Sequence, residues 1–231
     1  MRKRFLTLAC IFLLCAVSLA QDCKSFLFMT SNAEIQMSIF DKKGNVNGIQ
    51  TWKISDVKRD GAGYSSTINS RFTDEKGKEI AKGTGVYKCN GGMLQADMKM
   101  AMPQQSQMQS SDVQLSDSYL EYPYNLTVGQ GLKDAQMEMD VNMNTGIKAN
   151  INFKEINRKV DSKESITTPA GTWEAYVISY EGNMRTKMGP IGIPFNFTAK
   201  EWFVPGIGIV KTETYSKGKL AGSTMITSIK K

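Results

Sequence analysis

The stretch SITTPAGTWEAYVISYEG, Ser165 to Gly182, gathers a Pro, two Gly, a Trp and two Tyr into one run. Pro169 suits position i+1 of a type I turn, where its fixed φ is already correct. Gly171 suits the left-handed position that closes a three-residue hairpin loop with a bulge. Beyond the turn, Trp173, Ala175, Val177 and Ser179 alternate with Glu174, Tyr176, Ile178 and Tyr180. Both sets are bulky, which predicts a central strand covered on both sides. A catalytic loop would need a nucleophile beside a base, or a placed pair of carboxylates, and Thr168 and Thr172 have neither nearby. The stretch reads as a structural turn, Pro169 and Gly171, between two antiparallel strands.

The same grammar recurs along the chain. Turn clusters stand at DKKGN from Asp41, RDGAG from Arg59, DEKGK from Asp74, CNGG from Cys89, TVGQG from Thr127, PGIG from Pro205 and SKGK from Ser216. Glycine supplies positive φ in such turns, and Asp or Asn caps them locally. Between them lie alternating runs. EIQMSIF sets Ile35, Met37 and Ile39 against Glu34, Gln36 and Ser38; MLQADMKMAM sets Leu94, Ala96, Met98, Met100 and Met102 against Gln95, Asp97 and Lys99. QMEMDVNM sets Met137, Met139, Val141 and Met143 against Gln136, Glu138, Asp140 and Asn142. A period of two predicts half-buried antiparallel strands. PQQSQMQSSD, Pro103 to Asp112, is polar and aperiodic and reads as a mobile loop or linker. The expected fold is all-β: one large twisted antiparallel meander sheet, curled into an open barrel or clam, with few or no helices.

The first 20 residues differ from the rest. Arg2, Lys3 and Arg4 precede an apolar run from Phe5 to Leu19, and Ser18 and Ala20 supply small residues before Gln21. This is the layout of a cleaved secretory signal, residues 1–20. No membrane span is expected after its removal. Neither Cys15, after Leu14, nor Cys23, after Asp22, suits lipid attachment, so the reading is a soluble exported protein. Residues 21–231 then form a single all-β domain, with faint similarity between halves at about 21–110 and 111–231. Of the four cysteines, Cys23 and Cys89 remain in the exported part, and an oxidising compartment favours a disulfide between them over two free thiols.

The chain has 29 Lys and Arg and 22 Asp and Glu; without the three basic residues of the signal the balance is +4. The excess is spread out and lacks interleaved aromatics, so nucleic-acid binding is not expected. There is no histidine, which excludes Ser-His and Cys-His nucleophiles and the usual zinc sites. GIGIVK, from Gly206, is no dinucleotide fingerprint. The carboxylates Asp134, Glu138 and Asp140, or Glu155 and Glu164, fit a solvated strand face better than a catalytic dyad, so no catalytic residues are assigned. Fourteen methionines are the most unusual feature. Met98, Met100 and Met102 share one strand face, as do Met137, Met139 and Met143. Adaptable core volume is the first reading of these rows, lining of an apolar-ligand cavity the second, and a Cu(I) thioether site the third. No metal or other cofactor is expected.

Three segments carry a family resemblance: KESITTPAGTWEAYVISYEG from Lys163, EWFVPGIGIVKTE from Glu201 and YPYNLTVGQGLKDAQ from Tyr122. Together they resemble the TapB-like exported proteins, related to the family called domain of unknown function 3108. The likeness covers most of the chain after Tyr119, with a looser echo before it. Trp173 stands where many relatives carry Phe, which keeps an aromatic anchor. The resemblance implies an antiparallel β fold in the cell envelope of a bacterium, periplasmic or outer, and carries no assigned activity or functional residues. The functional expectation is a non-enzymatic binding or structural protein, offering an apolar concave sheet face to a lipid-like ligand or an envelope protein. A carboxylate-dependent hydrolase is the alternative.

Overall fold

The structure, a computed structural model, describes residues 23–101, 108–114, 119–143 and 148–231. The signal expected at 1–20 lies outside the described residues. The strands are β1 (Glu34–Asp41), β2 (Val46–Asp60), β3 (Gly63–Asp74), β4 (Glu79–Asn90), β5 (Met93–Asp97), β6 (Met108–Gln114) and β7 (Tyr119–Pro123). They continue with β8 (Ala135–Met143), β9 (Lys148–Thr168), β10 (Gly171–Met188), β11 (Ile191–Val204), β12 (Gly208–Ser216) and β13 (Lys219–Lys230). Three short 3-10 turns, at Cys23–Ser25, Leu27–Met29 and Met98–Ala101, are the helical elements among the described residues.

All thirteen strands form one antiparallel sheet in the order β6, β8, β9, β10, β11, β12, β13, β1, β2, β3, β4, β5, β7. The first and last strands of the chain therefore pair in the middle, Ile35 opposite Ile229 and Ser38 opposite Met225. From that seam one meander runs β1 to β5 and the other runs back from β13 to β8. The edges are exchanged: β7 adds to β5, although it follows β6, which adds to β8. The sheet is nearly closed into a barrel, because edge strand β7 meets β9 and β11 through side chains. The all-β curled meander expected from the alternation is the fold observed.

The N-terminal segment fills one end of the barrel. Phe26, Leu27, Phe28 and Met29 are all buried, and Leu27 N–H donates to Gly206 O at 2.7 Å. The Phe28 ring lies 4.7 Å from Tyr87 and 5.8 Å from Trp52, and Phe26 meets Tyr124 edge-on at 5.7 Å. Burying each of these side chains contributes about 1.5–3 kcal/mol. Cys23 is bonded to Cys89 at the end of β4, with 5.7 Å between their Cα atoms, so the plug is covalently held to the wall.

Three local expectations are corrected. MLQADMKMAM does not stay extended: β5 ends at Asp97, and Met98–Ala101 is a 3-10 turn. The buried Asp97 carboxylate accepts Val86 N–H at 3.2 Å and Lys99 N–H at 3.0 Å, which takes the place of the next ladder bond and turns the chain. The Pro169 turn is a two-residue loop, since Thr168 pairs directly with Gly171. Within it Ala170 N–H donates to Thr168 Oγ1 at 3.2 Å, and Gly171 has φ +152°. The part of the expected loop from Met108 to Asp112 lies in β6, paired with β8. An edge strand is held by backbone bonds and needs no side-chain period to declare it.

Candidate functional site

The inner face of the sheet has two parts. The first is polar. β9 sends Ile151, Phe153 and Glu155 inward by simple alternation. Asn157 then takes a left-handed φ of +56° and its side chain donates to Glu181 at 3.1 Å. The register against β10 slips at this point, so parity inverts and Arg158 faces the same interior as Glu155. Glu155 is 1% exposed, Arg158 2% and Glu201, on β11, 4%. Edge strand β7 supplies Tyr122, whose hydroxyl donates to Glu201 Oε2 at 2.9 Å while its ring stacks on Phe203 at 4.7 Å. The Arg158 guanidinium lies 4.8 Å from the Tyr122 ring centroid, and its Nη1 donates to Lys133 O at 3.0 Å and Glu121 O at 3.3 Å.

The cluster is under-satisfied. Arg158 Nε stands 3.8 Å from Glu155 Oε2, within ion-pair range but without a hydrogen bond. Among the described residues, Glu155 Oε2 and Arg158 Nε and Nη2 have no hydrogen-bond partner. Burial pushes the Glu155 carboxyl up to about 8, with the Glu201 charge adding and Arg158 opposing. Burial also raises Glu201, against Arg158 and the Tyr122 hydrogen bond. Arg158 remains cationic: burial opposes its charge, and the acidic neighbours Tyr122, Glu201 and Glu155 outweigh that. Near neutral pH the Glu155 carboxyl is therefore held protonated beside the Arg158 cation, and burial biases Glu201 the same way, which limits the buried negative charge.

The second part is apolar. Directly opposed residues share a face, and rows of the sheet can be followed across four strands. One row runs Met137, Phe153, Met184, Phe195, and the next runs Met139, Ile151, Thr186, Ile193. The third continues from Ala149 through Met188 to Ile191. Met137, Met139, Ile151 and Phe153 are buried, whereas Phe195 is 46%, Ile193 51% and Ile191 63% exposed. The rows emerge into solvent because β11 pairs with β12 only from Thr198 to Val204, so the end of the β10–β11 hairpin overhangs its neighbour. Pro194 lies on that unpaired edge and removes one free N–H, a device that discourages strand addition.

Of the six methionines expected to line a face, Met98 and Met100 lie in the 3-10 turn, fully or nearly buried, with Met100 packed over Gly85 of β4. Met137 and Met139 belong to the rows just described. Met143 ends β8, paired with Met108, and Met102 lies outside the described residues. Two surface hollows of about 250 and 350 Å³, around Tyr215 and around Lys58, Lys88 and Tyr119, take none of these methionines in their lining. Among the carboxylates considered from sequence, Glu138 and Asp140 are exposed and share the Asn150 amide, and Glu164 accepts the Trp202 indole N–H at 2.7 Å. Only Glu155 enters the buried cluster. Arg158, Tyr122 and Glu201 were not singled out by sequence, although a charged Glu155 in the inward register of Ile151 and Phe153 was a visible signal. Among the described residues no group of His, Cys, Asp and Glu is placed to hold a metal, and no helix is long and apolar enough to cross a membrane.

The fold has known counterparts. The chain superposes on the crystal structure of a protein from Bacteroides fragilis, provisionally described as exported and with a YmcC-like fold. The TM-score is 0.69 at 21% identity, covering 87% of this chain and 97% of that one. It also superposes on the crystal structure of a protein from Parabacteroides distasonis, provisionally described as a lipoprotein. There the TM-score is 0.70 at 21% identity, covering 89% and 98%. No curated protein matches the sequence. The DUF3108-like family model matches residues 30–226, a span that holds all the strands forming the polar cluster and the apolar rows, and the chain belongs to that family.

Proposed function

We propose that the protein is an exported bacterial envelope protein, acting as one domain after loss of residues 1–20, that binds an apolar, lipid-like molecule without transforming it. The observation that carries this reading is the continuity of the rows from buried Met137 and Met139 to exposed Phe195 and Ile193. An apolar face that is half covered and half open offers an acyl chain a place to lie while remaining part of the folded core. Methionine is unbranched and polarizable, so Met137, Met139 and Met184 can adjust to ligands of differing shape. The counterparts described as exported or as a lipoprotein support an envelope location.

The second reading, a carboxylate-dependent hydrolase, draws on Glu155 and Glu201. They meet at a tyrosine and an arginine, with one carboxyl held protonated near neutrality. It ranks below the first because the two residues are 1% and 4% exposed, which leaves a substrate no approach in this conformation.

Titration with an apolar fluorescent probe, with native mass spectrometry of protein isolated from its own envelope, tests the proposal. Saturable uptake near one probe per chain is expected, reduced by Met184→Gln with little change in melting temperature. A wild-type protein that takes up no probe and carries no lipid would overturn it.

A further inference from the structure

We infer that the overhanging end of the β10–β11 hairpin is a docking edge for an anionic lipid bilayer, seated in the headgroup region rather than spanning it. The inference goes beyond uptake of a soluble ligand and does not require it. Three of the large apolar side chains most exposed to water, Ile191, Ile193 and Phe195, stand at alternate positions of one strand and so on one face, with Met188 opposite Ile191. The other face of the same hairpin is basic. Arg185 and Lys187 are both exposed, and the Arg185 guanidinium lies over Gly192, where any side chain would displace it. Residues 182–198 contain no Asp or Glu at all. The acidic groups that share that face are Glu138 and Asp140, two strands away on β8 and both occupied by Asn150, and Glu181, back along β10 and occupied by Asn157.

An apolar face backed by cations, at the tip of a projecting element, matches the interface of an anionic membrane. The apolar side chains reach the acyl boundary and the long basic side chains extend to the headgroups. The backbone sets the depth. Among the described residues no strand pairs with β11 beyond β10 along residues 191–197, so the N–H and C=O groups of that edge could not be satisfied inside hydrocarbon. A strand that crosses needs about 9–11 residues in a closed barrel. The hairpin is therefore confined to the polar boundary, where water and headgroups satisfy the free edge.

The experiment is co-sedimentation of the exported protein with phosphatidylcholine vesicles, with and without about one third phosphatidylglycerol. Binding to the anionic vesicles is expected, weakened by high salt. Arg185→Gln with Lys187→Gln should lower the affinity roughly thirtyfold, because each cation near such a surface contributes about a factor of five. Ile191→Ser with Ile193→Ser should lower it by more than about tenfold. All four side chains are exposed, so unchanged melting temperatures are expected. A Phe195→Trp indole should be quenched by lipids brominated on the acyl chain. Absence of vesicle binding by the wild type, or binding indifferent to both double variants, would overturn the inference. So would a dimer that the Ile191→Ser and Ile193→Ser variant dissociates, since a second copy would then be what covers the face. The Arg185 and Lys187 variant separates this inference from ligand uptake: it leaves the apolar face intact, so probe uptake in solution should persist while vesicle binding is lost.

Discussion

Tyr122 on β7 donates its hydroxyl hydrogen to Glu201 Oε2 on β11 across 2.9 Å, joining an edge strand of the sheet to an interior strand of the opposite meander. With Arg158 holding the carbonyls of Glu121 and Lys133, this bond clasps the barrel where the ladder does not close it. Tyr122→Phe keeps the ring stacked on Phe203 but leaves the Glu201 carboxylate without its donor. A loss of about 1–3 kcal/mol in urea denaturation is expected. An unchanged midpoint would mean that the clasp contributes nothing to stability.

Stability should fall as pH rises through the neutral range. Glu155 is raised from an ordinary value of 4.5 to about 8 by burial, so between those values the folded chain binds a proton that the unfolded chain releases. The stabilisation from that proton is complete below about pH 4.5 and is lost as pH approaches about 8. Glu201, raised in the same direction, adds to the slope. Glu155→Gln should flatten the profile, as read from melting temperatures between pH 5 and pH 9. A wild-type stability that climbs across that range would contradict the assignment of the proton to this cluster.

Asp97→Ala removes the acceptor of both Val86 N–H and Lys99 N–H at a buried corner. A cost of about 1–3 kcal/mol is expected. Amide hydrogen exchange should quicken first at Val86 and Lys99, and unaltered protection at both would show that other groups satisfy them.

The Cys23–Cys89 bond closes a loop with a sequence separation of 66 and ties the aromatic plug to β4. Chain-entropy reasoning assigns such a bond about 4 kcal/mol. Protein lacking residues 1–20, denatured without reductant, should present no reactive thiol, and the Cys23→Ser, Cys89→Ser variant should unfold at lower denaturant. Two reactive thiols per chain would show that the bond does not form.

Gly171→Val should destabilise by more than about 1 kcal/mol. Gly171 has φ +152°, and an added Cβ would lie 2.9 Å from Trp173 Cζ2. A melting temperature equal to wild type would show that the Trp173 ring can move aside freely.

Much of this was legible in the sequence because the strands keep their period. Glu34–Asp41 and Ala135–Met143 alternate, and local sterics suffice to place an alternating run in a half-buried sheet. The strand after Pro169, expected to be covered on both sides, instead turns first Ala175 and Val177 and then Ile178 and Tyr180 inward, because its register shifts between Val177 and Ile178. The presence and approximate place of the turns, and the availability of Cys23 and Cys89 to each other, were equally local or countable. The candidate functional face was not. Glu155 and Arg158 are three residues apart and would lie on opposite faces of a regular strand; the bulge at Asn157 brings them together, and nothing in the spacing announces it. Tyr122 reaches Glu201 only because the edges exchange and the sheet curls, a choice made by pairing free energies summed over the whole barrel. Ile191, Ile193 and Phe195 are as apolar as any core strand, and their exposure follows from β12 ending short of them. Alternation in the sequence determined which residues could share a face; tertiary structure alone decided which faces were covered, because burial depends on which strands lie alongside.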